Sequence, residues 1–225
     1  MPWTSGGEDH FVVHVDPDLI VVDKPPGLPS VPGRVAELKD SAISRIQTLF
    51  PDALVVHRLD MATSGLLLFA RGSTMQRALS KLFEQRLIEK QYEAIVSGVP
   101  SDPAGTITLP LAADWPNRPR QKVDWALGKP ATTHWTVLSP ASPTGQPDPA
   151  ELAPRTRMAL FPVTGRSHQL RVHLSAIGHP ILGDPLYAHA DQQGLATRLL
   201  LHASKLAFDH PARQERLQFR SVVPF

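Results

Sequence analysis

The 225-residue chain contains no cysteine. Disulfide frameworks and thiolate metal sites are excluded with it, and a reducing cytoplasm is the expected setting. No stretch approaches the roughly eighteen apolar residues that a membrane span requires. Residues 1–10 carry Glu8 and Asp9 and lack the apolar run of a secretion signal. Also missing are a His-Glu-x-x-His run, a nucleophile elbow around Thr63-Ser64-Gly65, and any phosphate-binding or dinucleotide glycine run. These absences count against a zinc peptidase, a serine hydrolase and a nucleotide cofactor. His168 and His173 stand five apart on an expected helix, about 140° round its axis, so they do not face one metal ion. Neither a metal nor a cofactor is expected, and no internal repeat is visible.

Charge is close to balanced, with 23 Lys and Arg against 21 Asp and Glu. Its distribution is uneven. Residues 1–60 carry an acidic surplus. Residues 115–173 hold Arg118, Arg120, Lys122, Lys129, Arg155, Arg157, Arg166 and Arg171 against only Asp124, Asp148 and Glu151. A local basic surplus attracts a polyphosphate, because each neutralised phosphate releases condensed counterions. A plain solvated basic surface has the same composition.

With 42% apolar and 20% charged residues the chain reads as a soluble globular protein. Phe11–Val15 and Leu19–Val22 flank the turn Asp16-Pro17-Asp18 and predict a hairpin. Ser41–Phe50 predicts a helix capped at Asp40 or Ser41, with Ile43, Ile46, Leu49 and Phe50 on one face. A buried strand is expected over Leu66–Ala70, a helix from a Ser73 cap to about Arg86, and a strand over Ile88–Val96. Further strands are expected at Ile107–Leu109, His134–Leu138, Arg157–Val163 and Leu199–Phe208. Between them lies a helix over Ser167–Ile177, stopped by Gly178 and Pro180. Proline is plentiful (23 residues), about twice the average share. Residues 139–154 hold five of these and predict an extended loop. Strands outnumber helices, so the expectation is an α+β fold, a mixed and largely antiparallel sheet flanked by helices and long loops. One domain, residues 1–225, accommodates all of it.

Four segments stand out chemically. His57-Arg58-Leu59-Asp60 runs into Thr63-Ser64-Gly65 and the buried strand, where charge is costly unless paired or used. Asp60 or Ser64 capping a turn is the plainer alternative. Lys90-Gln91-Tyr92 puts a tyrosine on a strand, a common packing position. Thr164-Gly165-Arg166-Ser167-His168-Gln169-Leu170-Arg171-Val172-His173 leads a Gly-Arg turn into a helix N-terminus, which gathers anions, or is simply a capped helix with basic decoration. Leu200-Leu201-His202-Ala203 alone is a core strand.

Taken together these segments resemble the RluA family of pseudouridine synthases. Lys24-Pro25-Pro26-Gly27 with Pro29 and Pro32 is similar to the family's first motif, and His57-Arg58-Leu59-Asp60-x-x-Thr63-Ser64-Gly65-Leu66 to its signature. Glu89-Lys90-Gln91-Tyr92-x-Ala94 resembles the catalytic-tyrosine segment. The runs 164–174, 178–187 and 200–203 supply the rest, in family order. Asp114-Trp115-Pro116-Asn117-Arg118-Pro119-Arg120-Gln121-Lys122-Val123 is similar to a subgroup that modifies both tRNA and 23S rRNA and carries no S4-type RNA-binding domain. None is expected here, since fewer than thirty residues precede the first motif.

The resemblance implies an RNA uridine isomerase that needs neither cofactor nor metal and acts in the cytoplasm on a tRNA anticodon stem-loop and a 23S rRNA hairpin. It implies Asp60 as nucleophile, with Tyr92 and Arg166 as catalytic partners. Arg58 and His57 would meet the substrate, with Arg58 filling the gap left by a flipped base, and Leu200 and Leu201 would wall the uracil pocket. Arg118, Arg120, Lys122 and Arg171 would contact phosphates. A relative acting on one RNA class, or an idle RNA-binding relative, are the alternatives. The intact Asp60, Tyr92 and Arg166 set argues against the idle one.

Overall fold

A computed structural model describes residues 11–140, 154–189, 192, 194–213 and 215–225. The chain forms two compact units, one of the residues up to Lys90 with Ala203–Val223, the other of Gln91–His202 with Pro224–Phe225. Through α2 the elements are β1 (Val12–Val15), β2 (Leu19–Lys24), α1 (Ala42–Leu49), β3 (Ala53–Val55), β4 (Ser64–Arg71) and α2 (Gly72–Glu84). Next come β5 (Glu89–Ser97), β6 (Ala104–Thr108), β7 (Leu111–Ala113), β8 (Gln121–Val123), β9 (Thr132–Pro140) and β10 (Arg155–Pro162). The chain closes with α3 (Gln169–Ala176), β11 (Leu201–Asp209) and β12 (Arg216–Arg220).

In the first unit β1, β2 and β4 are consecutive neighbours, with β3 also on β4 and β12 on β11, all antiparallel. Asp16 makes the first turn: its Oδ1 accepts from the amides of Asp18 and Leu19, each at 2.8 Å. Leu19 and Val21 of β2, Leu66, Leu68 and Ala70 of β4, and Leu206 and Phe208 of β11 pack with Met75, Leu79 and Ile88 into one core. The register sets Val21 against Leu68 and Lys24 against Gly65. Helix α1 begins with a reciprocal cap. Ser41 Oγ accepts from Ser44 N at 3.2 Å while Ser44 Oγ accepts from Ser41 N at 2.8 Å, which satisfies two helix-end amides.

The second unit orders its strands β5, β10, β9, β6, antiparallel throughout. The hairpin β7–β8 forms a separate two-stranded sheet. Leu111, Ala131, Val172 and Tyr187 form a small core where β7 meets α3. The fold is α+β on a largely antiparallel sheet, as the surplus of strands over helices predicts.

Local details differ from expectation. Helix α2 starts one residue before Ser73, and its N-cap position, Arg71, makes no side-chain cap bond. Helix α3 starts at Gln169 rather than Ser167, because His168 takes a left-handed conformation (φ 53°) that a helix cannot continue through. The short strands β3, β7, β8 and β12 have no counterpart in the sequence pattern. Of the expected proline-rich loop, residues 141–153 lie outside the described residues, while Ser139 and Pro140 belong to β9. Residues 1–10 also lie outside them. Among the described residues no helix is long and apolar enough to cross a membrane.

Gly65 marks the tightest approach in the first unit. It has φ +109°, and a Cβ there would stand 2.4 Å from the carbonyl oxygen of Ala203 and 2.5 Å from its nitrogen. Both the dihedral and the contact reject a side chain. Gly65→Ala is therefore expected to lower the melting temperature by more than about 10 °C, read by circular dichroism. A shift of only a degree or two would show that the backbones part easily there.

Candidate active site

The first unit presents Asp60 on the connection between β3 and β4. The backbone on either side of it is held by buried polar side chains from residues 24–30. Ser30 Oγ donates to Leu59 O at 2.8 Å and accepts from Leu59 N at 3.0 Å. Lys24, wholly buried, donates from Nζ to the carbonyls of Pro25, Leu28 and Met61 at 2.9, 2.8 and 3.2 Å. Gly27 N donates to the same Met61 carbonyl at 2.8 Å. Asp60 O accepts from Thr63 N at 3.1 Å and turns the chain into β4. A buried ammonium is tolerable only when hydrogen-bonded, and here its bonds bear directly on the residue next to Asp60. The motif reading missed both roles: Lys24 stood out only as part of a motif, and nothing local distinguishes Ser30 from any loop serine.

Arg58 is exposed at the edge of this turn. His57, expected among the substrate-binding residues, is half-buried and makes contacts within the fold. Leu68 N donates to its Nε2 at 2.9 Å, which leaves the ring proton on Nδ1, and the ring stacks on Phe83 with centroids 4.4 Å apart. Burial, helped by the nearby Lys90 charge, pulls its pKa from 6.5 down to about 3.

The second unit carries the other expected residues. Tyr92 lies on β5 opposite Leu160 of β10 and is partly exposed. Leu200 joins β5 through its carbonyl, which accepts from Ile95 N at 3.2 Å, and Leu201 is buried. Tyr92 and the Leu200–Leu201 pair thus belong to neighbouring segments.

Arg166 is exposed and precedes α3. Its backbone is held by Gln169: Gln169 Oε1 accepts from Arg166 N at 3.0 Å and from Thr164 Oγ1 at 2.7 Å. Gln169 Nε2 donates to Thr132 O and Thr133 Oγ1, both at 3.0 Å. The network continues from Thr133 Oγ1 to His173 Nδ1 at 2.9 Å, and from His173 Nε2 to Leu109 O at 3.1 Å. Burial holds the His173 pKa below its usual value. The guanidinium of Arg166 is aimed in part by Nε, which donates to Pro130 O at 3.2 Å. The amide expected to gather anions here is thus occupied by a side chain.

Arg171 is a correction. It was expected to contact phosphate, but it is 3% exposed and forms a two-pronged pair with Asp184, both bonds 2.7 Å. It also lies 5.0 Å from the Tyr187 ring centroid. A guanidinium so enclosed and paired ties α3 to the segment carrying Asp184 and is not presented at the surface. Arg118, Arg120 and Lys122 are exposed, on and beside the β7–β8 hairpin. Arg118 covers the Trp115 ring at 3.3 Å, Arg120 lies 5.5 Å from the Tyr187 ring, and Lys122 pairs with Asp124 at 3.3 Å. Among the described residues no cluster of three histidine or carboxylate side chains could hold a metal ion.

The His57 pKa has a consequence for acid stability. Because its folded pKa is depressed, the unfolded chain takes up a proton below about pH 6.5 that the folded chain refuses until about pH 3. Stability therefore falls across that window as pH drops. His57→Gln is expected to give a shallower loss of melting temperature between pH 7 and pH 4 than the wild-type chain. Parallel curves would show that His57 is not the group responsible.

Residues 18–176 match the family described as RNA pseudouridylate synthase. The dual-specificity RNA pseudouridine synthase RluA of Escherichia coli (strain K12) is 47% identical over 214 residues, 95% of this chain and 93% of that one. The protein of the same name from Yersinia pestis is 46% identical over 96% of this chain and the whole of its own length. In structure the chain is similar to human RNA Pseudouridylate Synthase Domain Containing 1, with a TM-score of 0.77 and 27% identity over 99% of this chain and 87% of that one. Human RNA Pseudouridylate Synthase Domain Containing 4 gives 0.71 and 26% over 95% and 88%. With identity sustained along almost its full length, this chain belongs to the RluA family of RNA pseudouridine synthases.

Proposed function

We propose that this chain isomerises uridine to pseudouridine in stem-loops of both tRNA and 23S rRNA, with Asp60 as nucleophile and Tyr92 and Arg166 as its catalytic partners. The observation that supports this most is the grip on Asp60, whose neighbours Leu59 and Met61 are each fixed by a buried polar side chain. A nucleophile gains most when it is held in one geometry before substrate arrives. A residue that merely capped a turn would not need such support.

The reaction breaks the N1–C1′ bond of uridine, turns the uracil and joins C5 to C1′. The C5 hydrogen leaves as a proton and N1 takes one up, so the atoms balance within the substrate and no cofactor enters. The uracil must leave the base stack first. Arg58, exposed on the Asp60 turn, is assigned the space it vacates, and Leu200 and Leu201 the wall of its pocket. Asp60 must be ionised to attack, and Arg166 is assigned the opposite charge that keeps it so. Tyr92 is assigned the base that takes the C5 proton through its phenol oxygen.

The substrates are inferred from the relatives, whose names carry dual specificity, and from the cations of the β7–β8 hairpin. Uridine 32 of the tRNA anticodon loop and uridine 746 of 23S rRNA are the expected targets, met in the cytoplasm.

Release of tritium from RNA labelled at uridine C5 tests the chemistry. Asp60→Asn is expected to release none while binding RNA within a few-fold of wild type, since phosphate contacts supply most of the affinity. Tyr92→Phe should bind and stall, and Arg166→Lys should be severely impaired because lysine lacks the planar fork that orients a carboxylate. Single-turnover product from Asp60→Asn would overturn the assignment.

Substrate range is tested with an isolated anticodon stem-loop and a 23S rRNA hairpin, both expected to be modified. Replacing Arg118, Arg120 and Lys122 by alanine should weaken binding to both alike and flatten the dependence of log K on log salt by about two to three phosphate contacts. Modification of one RNA only would reject dual specificity, and an unchanged salt slope would make these cations structural.

A further inference from the structure

The turn after β8 carries side chains that neither the fold nor the proposed catalysis uses. Trp125 is 76% exposed and Leu127 84%, and Trp115, close by in sequence, is 69% exposed. Single exposed apolar residues are ordinary on any protein. These three fall within one short, strongly cationic segment, and two of them are among the four tryptophans of the chain.

The turn itself is rigid. Asp124 Oδ1 accepts from Ala126 N at 3.1 Å and Leu127 N at 3.0 Å. Asp124 N donates to Pro110 O at 3.0 Å, Gly128 N donates to Asp124 O at 2.9 Å, and Leu111 and Lys129 exchange backbone bonds of 3.0 and 2.8 Å. A Cβ at Gly128 would lie 2.2 Å from Asp124 O and 2.8 Å from the Pro110 carbonyl carbon, so the turn sits hard against the start of β7. Its bonds are made by backbone and by one carboxylate. The side chains of Trp125 and Leu127 contribute nothing to them and stand exposed on this bonded turn, which lowers the entropy lost when something binds.

The chemistry around the turn says what binds. Arg118, Arg120, Lys122 and Lys129 are exposed. The two carboxylates are engaged within the segment: Asp114 accepts from Asn117 Nδ2 at 2.9 Å, and Asp124 is taken by the turn amides and by Lys122 at 3.3 Å. The Leu127 amide foremost, then Lys122, hold the Asp124 carboxyl below the usual range, so it stays anionic and bound to its turn. What faces solvent at the turn is an open indole with the exposed Lys122 just before it and Lys129 just after it in the chain, while Arg118 and Arg120 lie at the other end of the β7–β8 hairpin. Arg118 already covers Trp115 at 3.3 Å, whereas among the described residues no ring or cation stacks on Trp125. Cations interleaved with an aromatic face suit a polyanion that carries flat apolar faces, which is unpaired RNA.

We propose that Trp125, backed by Leu127, is a stacking platform for an unpaired nucleobase of the substrate RNA other than the uridine that reacts. This rests on the RNA-modifying function proposed above and adds to it a site that reads loop structure. The phosphates go to the neighbouring cations and one loop base goes to the indole.

Binding of a fluorescein-labelled anticodon stem-loop to the full chain tests it, alongside the same stem closed by a loop of abasic residues. Trp125→Ala is expected to raise Kd for the intact loop about ten-fold, the effect of losing one stacked base, without changing the slope of log K against log salt. Trp125→Phe, which keeps an aromatic face, should stay within about three-fold of wild type. The abasic loop should bind wild type weakly and lose nothing further with Trp125→Ala. Wild-type affinity in Trp125→Ala, or an equal loss on the abasic loop, would overturn the platform. So would a wild-type dimer in sedimentation that Trp125→Ala dissociates, since the patch would then serve a second copy of the chain. Failure of the RNA-modifying function has its own signature, a wild-type chain that neither binds the stem-loop nor releases tritium from it.

Discussion

A buried lysine organises the first unit. Burying the Lys24 ammonium at the end of β2 costs several kcal/mol unless its hydrogens are satisfied. The carbonyls of Pro25, Leu28 and Met61 satisfy them, and this forces the Pro-Pro-Gly segment and the Asp60 turn to converge on one atom. Ser30 does the same for Leu59 from the other side. Between the two grips the chain has little freedom, and Asp60 is the residue left between them. Gly65, which pairs with Lys24 in register, also meets the Ala203 backbone, so β4 has no room for a side chain at that point.

The second unit uses a different device. Gln169 reaches back from the first turn of α3 to hold the Arg166 amide, and forward to Thr133 and so to His173. Tyr187 is a second hub: its hydroxyl accepts from Gln121 N at 2.7 Å and bonds His168 Nδ1 at 2.7 Å, while its ring lies near both Arg171 and Arg120. The segment bearing Arg166 and the strand that ends the β7–β8 hairpin are therefore tied through one phenol oxygen. A fully satisfied polar network of this kind rigidifies its surroundings, and a half-satisfied one would be worse than an apolar core.

Much of this was legible in advance. The apolar run at Leu66–Ala70 and the turn at Asp16 predict β4 and the first hairpin, because apolar runs and turn chemistry are local properties of the chain. The family motifs brought Asp60, Tyr92 and Arg166 forward together, although each alone had a plainer explanation. The three-residue strands β3, β7 and β8 were not legible, since so short a run has no periodicity to read and its pairing is decided by partners far along the chain. Arg171 was misassigned for a related reason. In sequence it is one more cation in a basic stretch, and only the position of Asp184, thirteen residues on, turns it inward.

By itself the sequence determined the fold class, the family and the residue types that carry the chemistry, because hydrophobic period, turn residues and motif spacing are all written along the chain. Tertiary structure alone decided what each polar side chain is for. Arg171 became structural because burial leaves a polar group no choice but to find a partner inside the protein. Lys24 and Ser30 acquired positioning roles because their partners are backbone atoms, which leave no mark on the sequence, and Gln169 because two of its four partners are backbone atoms of Arg166 and Thr132.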